Sequence, residues 1–302
     1  MPNSERTHSR WLGALLWTVA VVLMLAAAVY QRRTGPTYPM RGEIAVGAES
    51  YSYRLLRSQE TTGQARIALP RPGPEATGTL SYRRYPTDDP FTTVDLQAET
   101  GEKQTELGGY LPIQPPAGKV EYYLALETAA GPVRMPEIGA DESTIILRYK
   151  GPVPAAVLIA HVAFMFFSVL IGMRVGLGAL FAPSNIRSLS RVTLVGMTIG
   201  GLALGPWVQK YAFGEYWVGF PWGYDLTDNK MLIMWIVWAL AVVVLGGRAK
   251  RIAALGRIAV LAAALVMTAV YLIPHSMRGS ELDFEAVDAG VAASEAIGTS
   301  DD

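Results

Sequence analysis

The sequence predicts a polytopic membrane protein. Five transmembrane α-helices carry an extracytoplasmic all-β sandwich inserted between helices 1 and 2. Three observations carry this reading. The 302 residues are 51% apolar and only 17% charged, with a mean hydropathy of +0.25, a low charged fraction for a soluble chain. Five apolar blocks reach or approach spanning length: 11–30, 154–173, 189–208, 229–247 and 252–273. Between the first two blocks, residues 38–150 form short strand-like runs parted by turn residues. The formal net charge of zero argues against a nucleic-acid partner, and the absence of Cys excludes disulfides and thiolate chemistry.

Residues 1–10 are polar, with Arg6, His8 and Arg10, and form the N-terminal segment. Residues 11–30 (WLGALLWTVAVVLMLAAAVY) are one apolar run, longer than a signal-peptide core. They are read as an uncleaved signal anchor, although Ala26 and Ala28 offer a small-x-small cleavage pattern. Gln31, Arg32 and Arg33 follow, against the expected charge bias.

In 38–150, strands are expected at 51–57, 64–69, 78–85, 91–98, 119–127 and 143–149. Alternation is clearest in 119–127, where Val120, Tyr122, Leu124 and Leu126 share one face while Glu121 and Glu127 are expected to meet water. Pro70–Pro74 and Gln114–Gly118 mark loops. The segment GGYLPIQPPAGKVEYYLALET resembles the edge-to-central-strand region of immunoglobulin-like and fibronectin-III-like domains. There is no Cys–Trp–Cys spacing, so the resemblance implies an architecture and no particular role.

Pro154 opens the second helix, a position where its missing N–H costs nothing. His161 lies within that helix, and an imidazole in an apolar span is a functional candidate. Residues 174–190 are expected to be a loop holding Arg174 and Arg187, with Arg191 at the next helix boundary. The third helix carries Gly196, Gly200, Gly201 and Gly205, two interleaved G-x-x-x-G spacings. They permit close helix contact or leave room for a flat ligand. Asp228 is the expected N-cap of the fourth helix, with Lys230 snorkelling at its end. Gly246, Gly247, Arg248, Lys250 and Arg251 close it. The fifth helix is stopped by Pro274, and 274–302 reads as an acidic tail whose last dozen residues are mobile.

Loop charges set the topology. Segment 174–191 has three Arg and no acid, and 246–257 has four basic residues and no acid. Segment 209–230 has two Lys against three acids, and 275–302 one Arg against seven. Positive-inside therefore predicts an inner-membrane protein with a cytoplasmic N terminus. The β domain, the 207–230 loop and the C terminus fall on the extracytoplasmic side.

That loop reads WVQKYAFGEYWVGFPWGYDLTDNK, and its Gly and Pro residues specify a shaped turn. Tyr211, Glu215, Tyr216, Phe220 and Tyr224 are the candidate partner surface, although an interfacial aromatic belt explains such residues equally. His161 and His275 are candidate ligands for a cofactor, against the plainer reading of one satisfied and one solvated imidazole. Asp225, Asp228, Glu281 and Asp283, with Arg278 nearby, are candidates for a hard cation or an acid–base pair.

The runs GPW at 205–207, FGEYW at 213–217 and WGYDLTDNKMLIMW at 222–235 resemble the tryptophan-rich external loop of haem-handling cytochrome c assembly proteins. The W-D-P core of that loop is absent, and Pro221 precedes Trp222 instead. The resemblance implies that Trp217 and Trp222 line a haem edge and that His161 and His275 stand as axial ligands.

No G-x-S-x-G, H-E-x-x-H or Gly-rich phosphate loop is present. The first reading is therefore a non-enzymatic membrane protein, in contact with the bilayer, whose β domain and aromatic loop bind a protein partner or join a larger envelope assembly. A haem- or quinone-binding redox or haem-handling protein is the alternative. An outer-face enzyme acting on lipid head groups is the second alternative.

Overall fold

A computed structural model describes residues 3–101, 104–137, 143–181, 185–246, 250–275 and 279–299. Arg248, Arg278 and the last three residues lie outside them. Among the described residues five helices are long and apolar enough to cross a membrane, the composition of a multi-pass membrane protein. They are α1 (Asn3–Thr34), α2 (Ala155–Phe181), the composite Ile186–Phe213, α5 (Leu226–Leu245) and α6 (Lys250–Leu272). The composite third span is α3 (Ile186–Met197), a π-helical segment Thr198–Leu204, and α4 (Gly205–Phe213).

Eleven strands lie between α1 and α2. A hairpin of β1 (Met40–Val46) and β2 (Glu49–Leu55) comes first. The larger sheet has the order β3 (Ser58–Glu60), β11 (Ile145–Lys150), β9 (Lys119–Thr128), β5 (Thr77–Tyr85), β6 (Thr92–Asp95), with β10 (Gly131–Met135) also on β9. The smaller sheet is β4 (Ala65–Pro70), β8 (Thr105–Leu111), β7 (Gln97–Thr100). Both sheets feed one core, with Ile67, Leu69 and Leu107 from the smaller and Leu80, Val120, Tyr122, Leu124 and Leu147 from the larger. The predicted strand 91–98 divides at Leu96. Its N–H donates to Gly78 O at 2.8 Å, its side chain enters the core, and the chain passes from one sheet to the other. β1, β3, β8 and β10 lie outside the expected strands; charge in MRGEIAV and paired glycines in TELGGYL blur the alternation of β1 and β8.

Glu121 corrects the expected pattern. It is buried, not solvated, because Arg83 Nε donates to it at 2.5 Å and Thr144 Oγ1 at 2.7 Å. Paired charge replaces water there.

The helical core is built from Met24, Val169, Met173, Met197, Met231, Met234, Trp238 and Met267 with small residues between them. Helix α2 runs eight residues past its predicted end at 173. Arg174 is therefore helical rather than in a loop; its guanidinium lies 5.6 Å from the Trp17 ring of α1, an aromatic partner that sequence order hides. Arg187 and Arg191 also lie within a helix, α3. Arg257 ties α6 to the end of α2 by two bonds to Ala179 O, at 2.8 and 3.0 Å.

The acidic tail, where it is described over residues 279–299, is folded. It forms β12 (Ser280–Leu282), α7 (Phe284–Asp288) and β13 (Ile297–Thr299), closed over Leu282, Phe284 and Ala296. It lies back on the β domain. Lys119 pairs with Glu281, and Arg84 forks onto both carboxylate oxygens of Asp288 at 2.8 Å. Arg84 also stacks 5.1 Å from the Phe284 ring centroid. Burial lowers the Lys119 pKa, and the Glu281 charge opposes that fall.

Candidate functional site

The β domain, the 214–225 loop and the C-terminal segment meet at one end of the bundle. Gly151 N–H donates to Ala212 O at 2.8 Å, joining β11 to α4. Asp225 is the N-cap of α5, one turn before the expected Asp228. Its Oδ1 accepts from Thr227 N at 2.8 Å and Asp228 N at 3.1 Å, and its Oδ2 accepts from Ser280 N at 3.2 Å. Arg148 donates to Ser280 O from the other side and stacks 4.2 Å from the Phe213 ring centroid. Burial pushes the Arg148 pKa down, opposed by the charges of Asp225 and Glu281.

Asp228 is free of capping duty and holds the loop instead. Its Oδ2 accepts from Val218 N at 2.8 Å and Gln209 Nε2 at 3.1 Å, while Asn229 Oδ1 accepts from Phe220 N at 2.7 Å. The loop is thus pinned over the start of α5 through its backbone. Lys230 does not snorkel to water. It is buried and donates to Ile273 O, with Pro274 O at 3.4 Å, where the last carbonyls of α6 lack helical donors.

Beneath this layer lies a cavity of about 390 Å³. Leu158, Val162, Phe166, Met231 and Met234 form its apolar side, and Gln31, Arg148, Gln209, Asp225, Lys230 and both histidines its polar end. Leu158, Val162 and Phe166, on one face of α2, are 39%, 41% and 37% exposed, so this wall opens sideways among the apolar helix surfaces.

The glycine face of the third span does two jobs. A Cβ on Gly196 would strike Ser168, one on Gly200 would sit 2.8 Å from Phe164 Cβ, and one on Gly201 would strike Met231. At Gly205 the nearest atoms are 3.8 Å away, one of them His161 Cε1, and the cavity lies beyond. The π segment makes this division possible. Gly205 N–H reaches back five residues to Gly200 O, and that carbonyl also accepts from His161 Nδ1 at 2.8 Å. π turns of this kind concentrate at functional sites.

The two imidazoles hold their protons differently. His161 Nδ1–H points at a carbonyl, so its Nε2 keeps a free lone pair. The Gln31 amide nitrogen donates to Tyr271 O at 3.0 Å and to His275 Nδ1 at 2.9 Å, which leaves the His275 proton on Nε2. His275 faces open space at the cavity mouth, yet protein atoms crowd it. That crowding, then Lys230 and His161, lowers its pKa to about 4. The sign follows. The unfolded chain takes up this proton near pH 6.5, and the folded ring refuses it until about pH 4. Its contribution to stability is whole above pH 6.5 and lost as pH falls toward 4. Thermal unfolding in detergent from pH 7 to pH 5 should therefore show a steeper loss in wild type than in His275→Gln.

The other sequence candidates sit elsewhere. Trp217 and Trp222 do not line the cavity; Trp217 Nε1 donates to Phe220 O at 3.2 Å, and Trp222 is 81% exposed. Tyr211, Tyr216, Phe220 and Tyr224 are exposed, with Trp207 edge-on to Tyr216 at 5.3 Å, and Glu215 is half-buried. Glu281 pairs with Lys119, and Asp283 caps α7 by accepting from Ala286 N at 3.0 Å. Among the described residues no group of three or more His, Asp or Glu could hold a metal ion. Gln31, Arg148 and Gln209 are cavity residues that sequence reasoning missed; nothing in their local patterns marks them. No protein-family model, no curated protein and no solved structure matches the chain.

Proposed function

We propose that this protein binds a lipid-soluble molecule with a hydrogen-bonding head, of the quinone class, in the cavity between α2, α4 and α5. One observation carries the reading. A cavity open sideways along apolar helix surfaces ends on two imidazoles with complementary protons. His161 Nε2 accepts from a head-group hydroxyl, and His275 Nε2–H donates to a head-group carbonyl. An apolar ring and tail suit the Met- and Phe-lined side. Haem fits less well. His161 has the arrangement of an axial ligand, with its second nitrogen donating to a carbonyl, but His275 presents a proton where a metal needs a lone pair. An enzyme acting on head groups finds little support, since each of the four candidate carboxylates is engaged by a backbone amide or a lysine.

The expected test result is saturable quenching of tryptophan fluorescence when a short-chain quinone is added to the detergent-purified protein. Gly205→Leu fills the space beside His161 and should weaken binding at least tenfold. Equal quenching of both proteins would mean that the quinone merely enters the micelle, and the reading would fail.

The basic residues Arg187, Arg191 and Arg257 lie toward the opposite end of the bundle from the β domain, which supports a cytoplasmic N terminus in an inner membrane. Two sheets over one shared core support an immunoglobulin-like class for residues 38–150. A second reading, docking of an envelope partner, is favoured by Phe220, Trp222 and Tyr224, which are 65%, 81% and 73% exposed on one short loop.

A further inference from the structure

We infer a binding site for anionic phospholipid head groups where α1 enters the β domain, formed by Arg32, Arg33, Arg41 and Arg54. It is separate from the cavity and does not depend on what the cavity holds. Arg32 and Arg33 occupy the last turn of α1, at the end of a long apolar span. After five linking residues, 35–39, the chain enters the β1–β2 hairpin, and Tyr38 in this link gathers the cations. Its ring lies 5.7 Å from the Arg32 guanidinium carbon and 5.6 Å from that of Arg41. Arg54 stands directly across the hairpin from Arg41.

This arrangement is costly on its own. Like charges placed opposite each other on paired strands destabilise a hairpin. Among the described residues none of the four arginines makes an ion pair, and all four are exposed. The acid on the same strand as Arg41, Glu43, faces Ser52 and accepts from Ser50 at 2.8 Å. Residues 31–42 contain three arginines and no acid, at the end of the span opposite to that where basic residues are favoured. An unpaired cluster at the edge of an apolar span is compensated if head-group phosphates lie against it. Arg presents a planar fork that matches phosphate oxygens, and each cation near such a surface adds to the attraction. Tyr38, between the Arg32 and Arg41 guanidiniums, keeps the two cations close to each other.

The test uses the full-length protein in nanodiscs of phosphatidylcholine with increasing phosphatidylglycerol, read by thermal unfolding. The wild-type melting temperature should rise with the anionic fraction and lose that rise in high salt. Arg41→Gln/Arg54→Gln should lose half of the rise or more. In pure phosphatidylcholine, Arg54→Gln alone should melt at or above wild type, because the opposed pair is gone. The same rise in the double variant would overturn the site. So would an equal rise with inorganic phosphate in pure phosphatidylcholine, which would make the ligand a free anion rather than a lipid.

Discussion

Trp238→Ala should destabilise the helix bundle by about 3–5 kcal/mol, the range for deleting a large buried aromatic side chain. Trp238 is the largest fully buried side chain among the described residues. Its indole N–H points at Met267 Sδ, 3.3 Å away. Gly172 makes room for both, since a Cβ there would lie 2.7 Å from the Met267 sulfur and 3.1 Å from Trp238 Cζ2. Three helices, α2, α5 and α6, therefore meet on one side chain. Between helices in lipid the hydrophobic drive is absent, so packing of this kind carries the association. Denaturant titration of the purified protein in mixed micelles measures the loss. A change below about 1 kcal/mol, at the level of an ordinary surface substitution, would show that the helices do not rely on this contact.

Gly151→Ala should loosen the β domain from the bundle. An added Cβ would run into the carbonyl oxygen of Tyr211, a main-chain atom of α4 that cannot rotate away. The neighbouring bond from Gly151 N–H to Ala212 O would open as the strand shifts. Overpacking of this kind costs about 1–3 kcal/mol. The expected signature is a single thermal transition becoming two, with new proteolytic cleavage between 150 and 155. Gly63→Ala serves as control, because nothing lies within 4 Å of a Cβ there. Equal behaviour of the two variants would remove Gly151 from the joint.

The five helices were readable because lipid-spanning segments advertise themselves by length and composition. Their ends were harder. Arg174 looks like a terminator by charge and Lys230 like a snorkelling helix end, yet Trp17 keeps the first inside α2 and the carbonyl of Ile273 holds the second out of water. These partners are more than 40 residues distant, so no local pattern reports them. In the β domain the alternation of β9 was plain, while Glu121 ran against it because Arg83 across the sheet neutralises it. His161 was visible as a costly residue in an apolar span and His275 as an imidazole just past the last helix, and the structure brings both to one cavity. The tryptophans drew attention by chemistry alone and lie outside it. Gln31 decides the proton position on His275 from 244 positions away, which only a folded chain discloses.

The order of synthesis gives the C-terminal segment a further meaning. Ser280, whose peptide bonds to both Arg148 and Asp225, is made after the five long helices described above. Until then the joint between domains holds a guanidinium and a carboxylate awaiting their shared peptide. A chain cut after α6 would lack that peptide and leave the buried Arg148 and Asp225 without these two bonds.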